Sequence, residues 1–137
     1  MGSEALRTRI AQLGQMALAT DDVESLRDFY RLIGGAASPP GINRDSGLQS
    51  CVLDFCGMRL ELLERRDHSE GAAVDGQSSG LVYLSFALGT ADAVDELSGV
   101  IAAAGYRVLE PPRRTCEVGC YESVVLDPDG NRVRLTV

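Results

Sequence analysis

Apolar residues follow two rhythms along the chain, and the order of those rhythms repeats. Segment 14–20, GQMALAT, alternates with a period of two, the spacing of a half-buried strand. The next stretch, DDVESLRDFYRLIGG, carries apolar residues at Val23, Leu26, Phe29, Tyr30 and Ile33, a helical spacing. Asp21, with Glu24 three residues on, is expected to cap that helix, and Gly34-Gly35 to stop it. Extended segments are expected near 35–38, over 48–56 (LQSCVLDFC) and over 58–64 (MRLELLE), the last two joined at Gly57. Residues 65–80, RRDHSEGAAVDGQSSG, show no period and read as a surface connection.

The same order then returns. LVYLSFAL (81–88) reads as a strand, and TADAVDELSGVIAAAG (90–105) as a helix with Val94, Leu97, Ile101 and Ala104 on one stripe. Thr90 is its expected cap and Gly105 its stop. YRVLE (106–110), a segment ending YESVVLD (121–127), and NRVRLTV (131–137) supply three more strands. Each half reads strand–helix–strand–strand–strand, with an offset of about 70 residues, and a shared plan at that spacing predicts two pseudo-equivalent modules. The expected organisation is one domain, with module 1 over about 12–66, a linker over about 67–79 and module 2 over about 80–137.

Strand alternation assigns the faces. The helix-covered side should take Met16, Leu18, Leu60, Leu62, Val82, Leu84, Phe86, Val133 and Leu135. The opposite side then receives Gln15, Ala17 and Ala19; Arg59, Glu61 and Leu63; Tyr83, Ser85 and Ala87; and Arg132, Arg134 and Thr136. Small apolar residues mixed with a few polar ones suit the lining of a shared ligand cup better than a purely solvated face.

Composition narrows the function classes. The chain has 137 residues, 45% hydrophobic and 24% charged, the profile of a globular protein of one-domain size. A net charge of −7 with no basic run argues against nucleic-acid binding. No apolar run is long enough to span a membrane and MGSEALRTRI lacks a signal-peptide core, so a cytoplasmic location is expected. The four cysteines are Cys51, Cys56, Cys116 and Cys120. Four or five residues of extended chain span roughly 13–16 Å, and a disulfide needs its Cα atoms within about 7 Å. Reduced thiols are therefore expected, with a curled soft-metal or redox loop at Cys116 and Cys120 as the alternative. His68 is the single histidine, in the connection, which excludes HExxH and two-histidine metal motifs. Asp127 and Asp129 read as turn residues of LDPDGN.

Four stretches, MALATDDVESLRDFYRLIGG, RLELLERRD, GLVYLSFAL and YESVVLDPDGNRVRLTV, together resemble the vicinal oxygen chelate superfamily. It comprises glyoxalase I-like lyases, extradiol dioxygenases, fosfomycin-modifying enzymes and bleomycin-resistance proteins. The resemblance runs from about Gly14 to Val137 and implies an α+β fold of paired βαβββ modules. Their mixed sheets would curl into a cup with helices outside, often in a dimer. It implies no single activity, because the fold hosts several chemistries.

In the metal-dependent relatives a ligand stands on the first and last strand of each module, usually His or Gln, Glu, His and Glu. The matching positions here are Gln15, Glu61, Tyr83 and Arg134. Gln15 is compatible but weak, Glu61 is a full match, Tyr83 carries a phenol with an ordinary pKa near 10, and Arg134 is no ligand. A guanidinium about 4 Å from a divalent ion opposes it by roughly 8 kcal/mol at an effective dielectric near 20. A structural zinc site supplies about 10–16 kcal/mol in all. Glu61 is expected to pair with Arg134 across the cup.

The leading expectation is a metal-free small-molecule-binding protein that sequesters a drug or metabolite, without a cofactor. Gln15, Glu61, Tyr83, Ser85, Arg134 and Thr136 would be its ligand contacts. Arg134 would suit a carboxylate or phosphate, whereas a free Glu61 would suit a cation. The alternative is a lyase, isomerase or dioxygenase-like enzyme with a degenerate metal site, in which Gln15 and Glu61 hold Zn, Ni, Mn or Fe, or Glu61 acts as a metal-free base. Exposed sheet edges in so small a chain favour a homodimer.

Overall fold

The computed structural model describes residues 14–44, 46–65, 80–115 and 120–137; His68 and Cys116 lie outside them. The first half contains β1 (Gln15–Thr20), α1 (Val23–Ile33), β2 (Ala36–Ala37), β3 (Gly41–Ile42), β4 (Gln49–Phe55) and β5 (Met58–Glu64). The second contains β6 (Leu84–Ala87), α2 (Ala91–Ala103), β7 (Val108–Arg114), β8 (Tyr121–Leu126) and β9 (Arg132–Thr136). Sheet 1 runs β1-β5-β4-β2, with β3 also on β4, and sheet 2 runs β6-β9-β8-β7. In both, the first strand lies parallel to the last and the other pairings are antiparallel. The two βαβββ modules expected from the repeat are present as an α+β fold, and their sheets do not close on one another.

Register supports the alignment of the halves. Ala17 stands beside Glu61 in sheet 1, and Ser85 stands beside Arg134 in sheet 2. Glu61 and Arg134 therefore occupy equivalent positions, as do Gln15 and Tyr83.

Local chemistry explains the element ends. Asp22, not Asp21, caps α1: its carboxylate accepts from the Ser25 amide (3.1 Å) and hydroxyl (2.6 Å), satisfying an orphan donor of the first turn. Gly34 ends the helix at φ 112°, where a side chain would be strained. Thr90 caps α2 through Ala93 N at 3.1 Å. Between β4 and β5, Cys56 and Gly57 both have positive φ, the pattern of a two-residue type I′ hairpin, and Asp54 accepts from Gly57 N at 3.0 Å. Cys56 is thus an exposed turn residue, whereas the Cys51 thiol is buried and donates to the Ser38 carbonyl at 3.2 Å.

Two strands differ from expectation. β6 begins at Leu84, and Leu81, Val82 and Tyr83 precede it with 56%, 70% and 44% exposure, so Val82 is not a core residue. β7 runs on to Arg114 through Pro111 and Pro112, with register shifts between Val108 and Glu110 and between Glu110 and Arg113. Prolines are tolerated there because β7 is an edge strand with bulged pairing.

The remaining inward residues pack as assigned. Leu60, Leu62, Val133 and Leu135 are fully buried with Val23, Leu26, Phe29, Val94 and Ile101 from the helices. On α2 the fourth inward position is Ser98 rather than Ala104. Ser123 donates to the Glu110 carbonyl (2.9 Å), so its oxygen is left to accept from Ser98 (3.0 Å), and this buried pair fixes α2 over sheet 2. The modules meet through edge-to-face packing of Phe29 on Tyr106 (5.0 Å), a tilted contact of Phe55 with Phe86 (5.1 Å), and one buried hydrogen bond. That bond runs from the Tyr30 hydroxyl to Asp127 Oδ2 at 2.8 Å. The same carboxylate accepts from Asp129 N (2.9 Å), Asn131 N (2.8 Å) and Asn131 Nδ2 (2.8 Å). Burial, then the Asp127 charge, pushes the Tyr30 phenol far above its ordinary pKa, so it remains a donor.

Tyr30→Phe removes a donor to this buried carboxylate and should lower unfolding free energy by about 1.5–3 kcal/mol, read from the urea midpoint. Partial burial, then the negative charges of Asp127, Asp21 and Asp22, raises the Asp129 carboxyl above its ordinary pKa, while a hydrogen bond from Thr20 opposes the rise. A native pKa above the unfolded value means that the folded state binds the proton more tightly, so stability falls as pH rises through that interval. Asp129→Asn, which keeps an acceptor for Thr20, should raise the Tm at pH 7, and the gain should shrink towards pH 4.

Candidate functional site

The open face of sheet 2 holds the most developed polar arrangement. Arg134 projects from β9, half-buried, and its Nε donates to Glu122 Oε2 on the neighbouring β8. Glu122 lies opposite Thr136 and Val124 opposite Arg134, so the ion pair is a diagonal cross-strand contact. Nη1 of Arg134 donates to the Tyr83 hydroxyl at 3.1 Å, with the guanidinium carbon 5.3 Å from the centre of the Tyr83 ring. Glu122, whose side chain is 11% exposed, therefore has its charge matched, and its hydrogen bond raises the pKa of Arg134 further. Around this triad is a cavity of about 250 Å³, walled by Leu109, Glu110, Val124 and Arg132 as well.

Sheet 1 carries a simpler pair. Gln15 Nε2 donates to Glu61 Oε1 at 3.4 Å, on the face opposite α1. The expected residues are thus assembled as two pairs, Gln15 with Glu61 and Tyr83 with Arg134, and no hydrogen bond or ion pair joins the pairs among the described residues. The expected Glu61–Arg134 ion pair is not formed. The two residues stand on the last strands of different sheets, and Glu122, on the strand next to Arg134, is the nearer partner. Ser85 lies on the same face beside Arg134, and Thr136 Oγ1 turns to the Tyr121 carbonyl at 3.5 Å; neither lines the cavity. A second concavity, of about 360 Å³, lies among Pro40, Gly41, Ile42, Gly47, Gln49 and Glu64 and takes none of the expected residues.

Glu122 was absent from the sequence-derived site. Its strand reads YESVVLD, in which a serine faces the core and a valine faces the cavity, so hydrophobic alternation assigns no faces there. A signal did exist: once Val125 is taken as inward, Glu122 and Val124 fall on the side of Arg134.

The donor set does not match a four-ligand metal centre. Sheet 1 offers an amide and a carboxylate already bonded to each other, and sheet 2 offers a phenol and a guanidinium held by Glu122. Among the described residues no three His, Cys, Asp or Glu side chains converge.

Arg134→Gln leaves Glu122 without its countercharge and should cost about 1–3 kcal/mol. Adding Glu122→Gln should recover part of that loss, so a double-mutant cycle by urea unfolding should give a favourable coupling energy.

Similarity to known proteins accords with this architecture. A sequence profile of the Glyoxalase/Bleomycin resistance protein/Dioxygenase superfamily matches residues 12–135. A family enzyme of that description from Burkholderia phytofirmans PsJN superposes with a TM-score of 0.70 at 24% identity, covering 92% of this chain and 98% of that one. Lactoylglutathione lyase from Agrobacterium tumefaciens gives 0.68 at 22% identity, covering 94% and 95%. A V278E mutant of glyoxalase I from Zea mays gives 0.72 at 17% identity, covering 91% of this chain but 44% of that longer one. Comparison with curated proteins gives no match. These structures share the fold; the profile, spanning nearly the whole sequence, shows that the chain belongs to the Glyoxalase/Bleomycin resistance protein/Dioxygenase superfamily.

Proposed function

We propose that this chain is a metal-free small-molecule-binding member of the superfamily that sequesters a drug or metabolite on the open face of sheet 2. The observation that carries the reading is the placement of Arg134. It stands where the resemblance calls for a metal-ligating carboxylate, and Glu122 and Tyr83 hold it in place. A guanidinium so fixed repels a divalent ion and offers directed N–H donors to a ligand. The cavity mixes Leu109 and Val124 with those donors, the usual composition of a ligand site. Tyr83 adds an aromatic face and a hydroxyl.

The chain is further read as a homodimer. β1 and β6 are edge strands, and Leu81 and Val82 lie exposed beside β6, a combination that favours burial against another copy. No described helix is long and apolar enough to cross a membrane.

After dialysis, the purified protein should retain no stoichiometric Zn, Ni, Mn or Fe by elemental analysis. One retained ion per chain would favour the enzymatic alternative instead. A thermal-shift screen of small molecules should find ligands that raise the Tm, because binding to the native state adds to stability. Arg134→Gln should lose the shift.

A further inference from the structure

We infer that the ligand of the sheet 2 cavity is a small amphiphilic monoanion, an aryl or branched-alkyl carboxylate, bound with its charge between Arg132 and Arg134. The inference rests on the ligand-binding reading above and names its substrate class. The charges around the cavity are not balanced one for one. Glu122 is committed to Arg134, and the nearest carboxylate oxygen of Glu110 lies 3.7 Å from Arg113. The side chain of Arg132, on the same face two residues before Arg134, makes no ion pair or hydrogen bond among the described residues, and it is exposed to the cavity. Its positive charge is thus left over.

Donor capacity points the same way. A guanidinium has five N–H groups, and Arg134 spends one on Glu122 and one on Tyr83. Three remain, fixed in direction by the two that are used. A carboxylate accepts through both oxygens and can therefore bridge the two arginines. A cation finds no comparable partner, since both carboxylates at the cavity already face guanidinium groups.

The remainder of the wall specifies the body of the ligand. Leu109 and Val124 are apolar and partly exposed, and the Tyr83 ring lies beside them. A cavity of about 250 Å³ has room for a small ring system. A simple inorganic anion would leave that apolar surface wet. The net charge of −7 makes this local excess of positive charge an exception to the rest of the chain, so selectivity must be short-range.

The test is calorimetric titration of the full chain with three probes of one shape: 2-naphthoate, 2-naphthamide and 2-naphthylmethylammonium. Expected is binding of naphthoate roughly ten- to a hundredfold tighter than the amide, the range spanned by one charge-assisted hydrogen bond. Arg132→Gln should weaken naphthoate by a similar factor without moving the amide, and 0.5 M salt should narrow the gap. Amide or ammonium binding as tight as naphthoate would overturn the anionic class and leave the ligand-binding reading standing. Naphthoate binding indifferent to Arg132→Gln would place the anion elsewhere and overturn the site. If none of the three binds and none perturbs the backbone amide resonances of Leu109, Val124 and Arg134, the ligand-binding reading itself fails with the inference.

Discussion

The Asp127 carboxylate is the constraint on which the arrangement of the two modules depends. It is buried, it is charged, and it accepts four hydrogen bonds. Three come from its own turn and set the geometry with which β8 passes into β9. The fourth comes from Tyr30, on the helix of the other module. A buried carboxylate is costly unless its lone pairs are matched, so the turn and the inter-module contact stabilise one another. Since β9 carries Arg134, the turn that locks the modules also sets the starting point of the strand that presents the site.

The equivalence of Glu61 and Arg134 shows how a duplicated frame acquires different chemistry at matching positions. One places an anion on the open face of its sheet, the other a cation, and each is answered locally. Glu61 takes an amide from the adjacent strand, and Arg134 takes a carboxylate from the strand on its other side. Local compensation removes any need for the two to meet. The face of sheet 2 becomes a place where a guanidinium is held by its neighbours and still has donors to spare.

Much of the frame was legible in the sequence, because periods of two and 3.6 residues survive wherever one face is apolar. β9 follows from strict alternation and β5 from an alternation broken only at Leu63, and α1 and α2 follow from helical spacing with flanking caps. Legibility failed where tertiary context overrode the local signal. The phenol of Tyr30 lies on the apolar stripe of α1, and nothing nearby in sequence reveals that a carboxylate 97 residues away will accept its hydrogen bond. Glu122 was hidden because its strand has a polar residue inside and an apolar one facing the cavity. The N-cap of α1 moved from Asp21 to Asp22 since both carry the right side chain and only the backbone angle decides. At Val82, an apolar residue in an apparently alternating run lies outside the strand altogether.

The prolines of β7 have a consequence for growth of the sheet. An edge strand recruits a neighbour through its free amides, and Pro111 and Pro112 have none to offer, while bulged pairing twists the rest of that edge away from a straight partner. Strand addition to sheet 2 is therefore easier at β6 than at β7. A ribbon with one readily adhesive side can join one other copy and is then left with poor edges to extend. Open-ended growth through this sheet is thereby disfavoured.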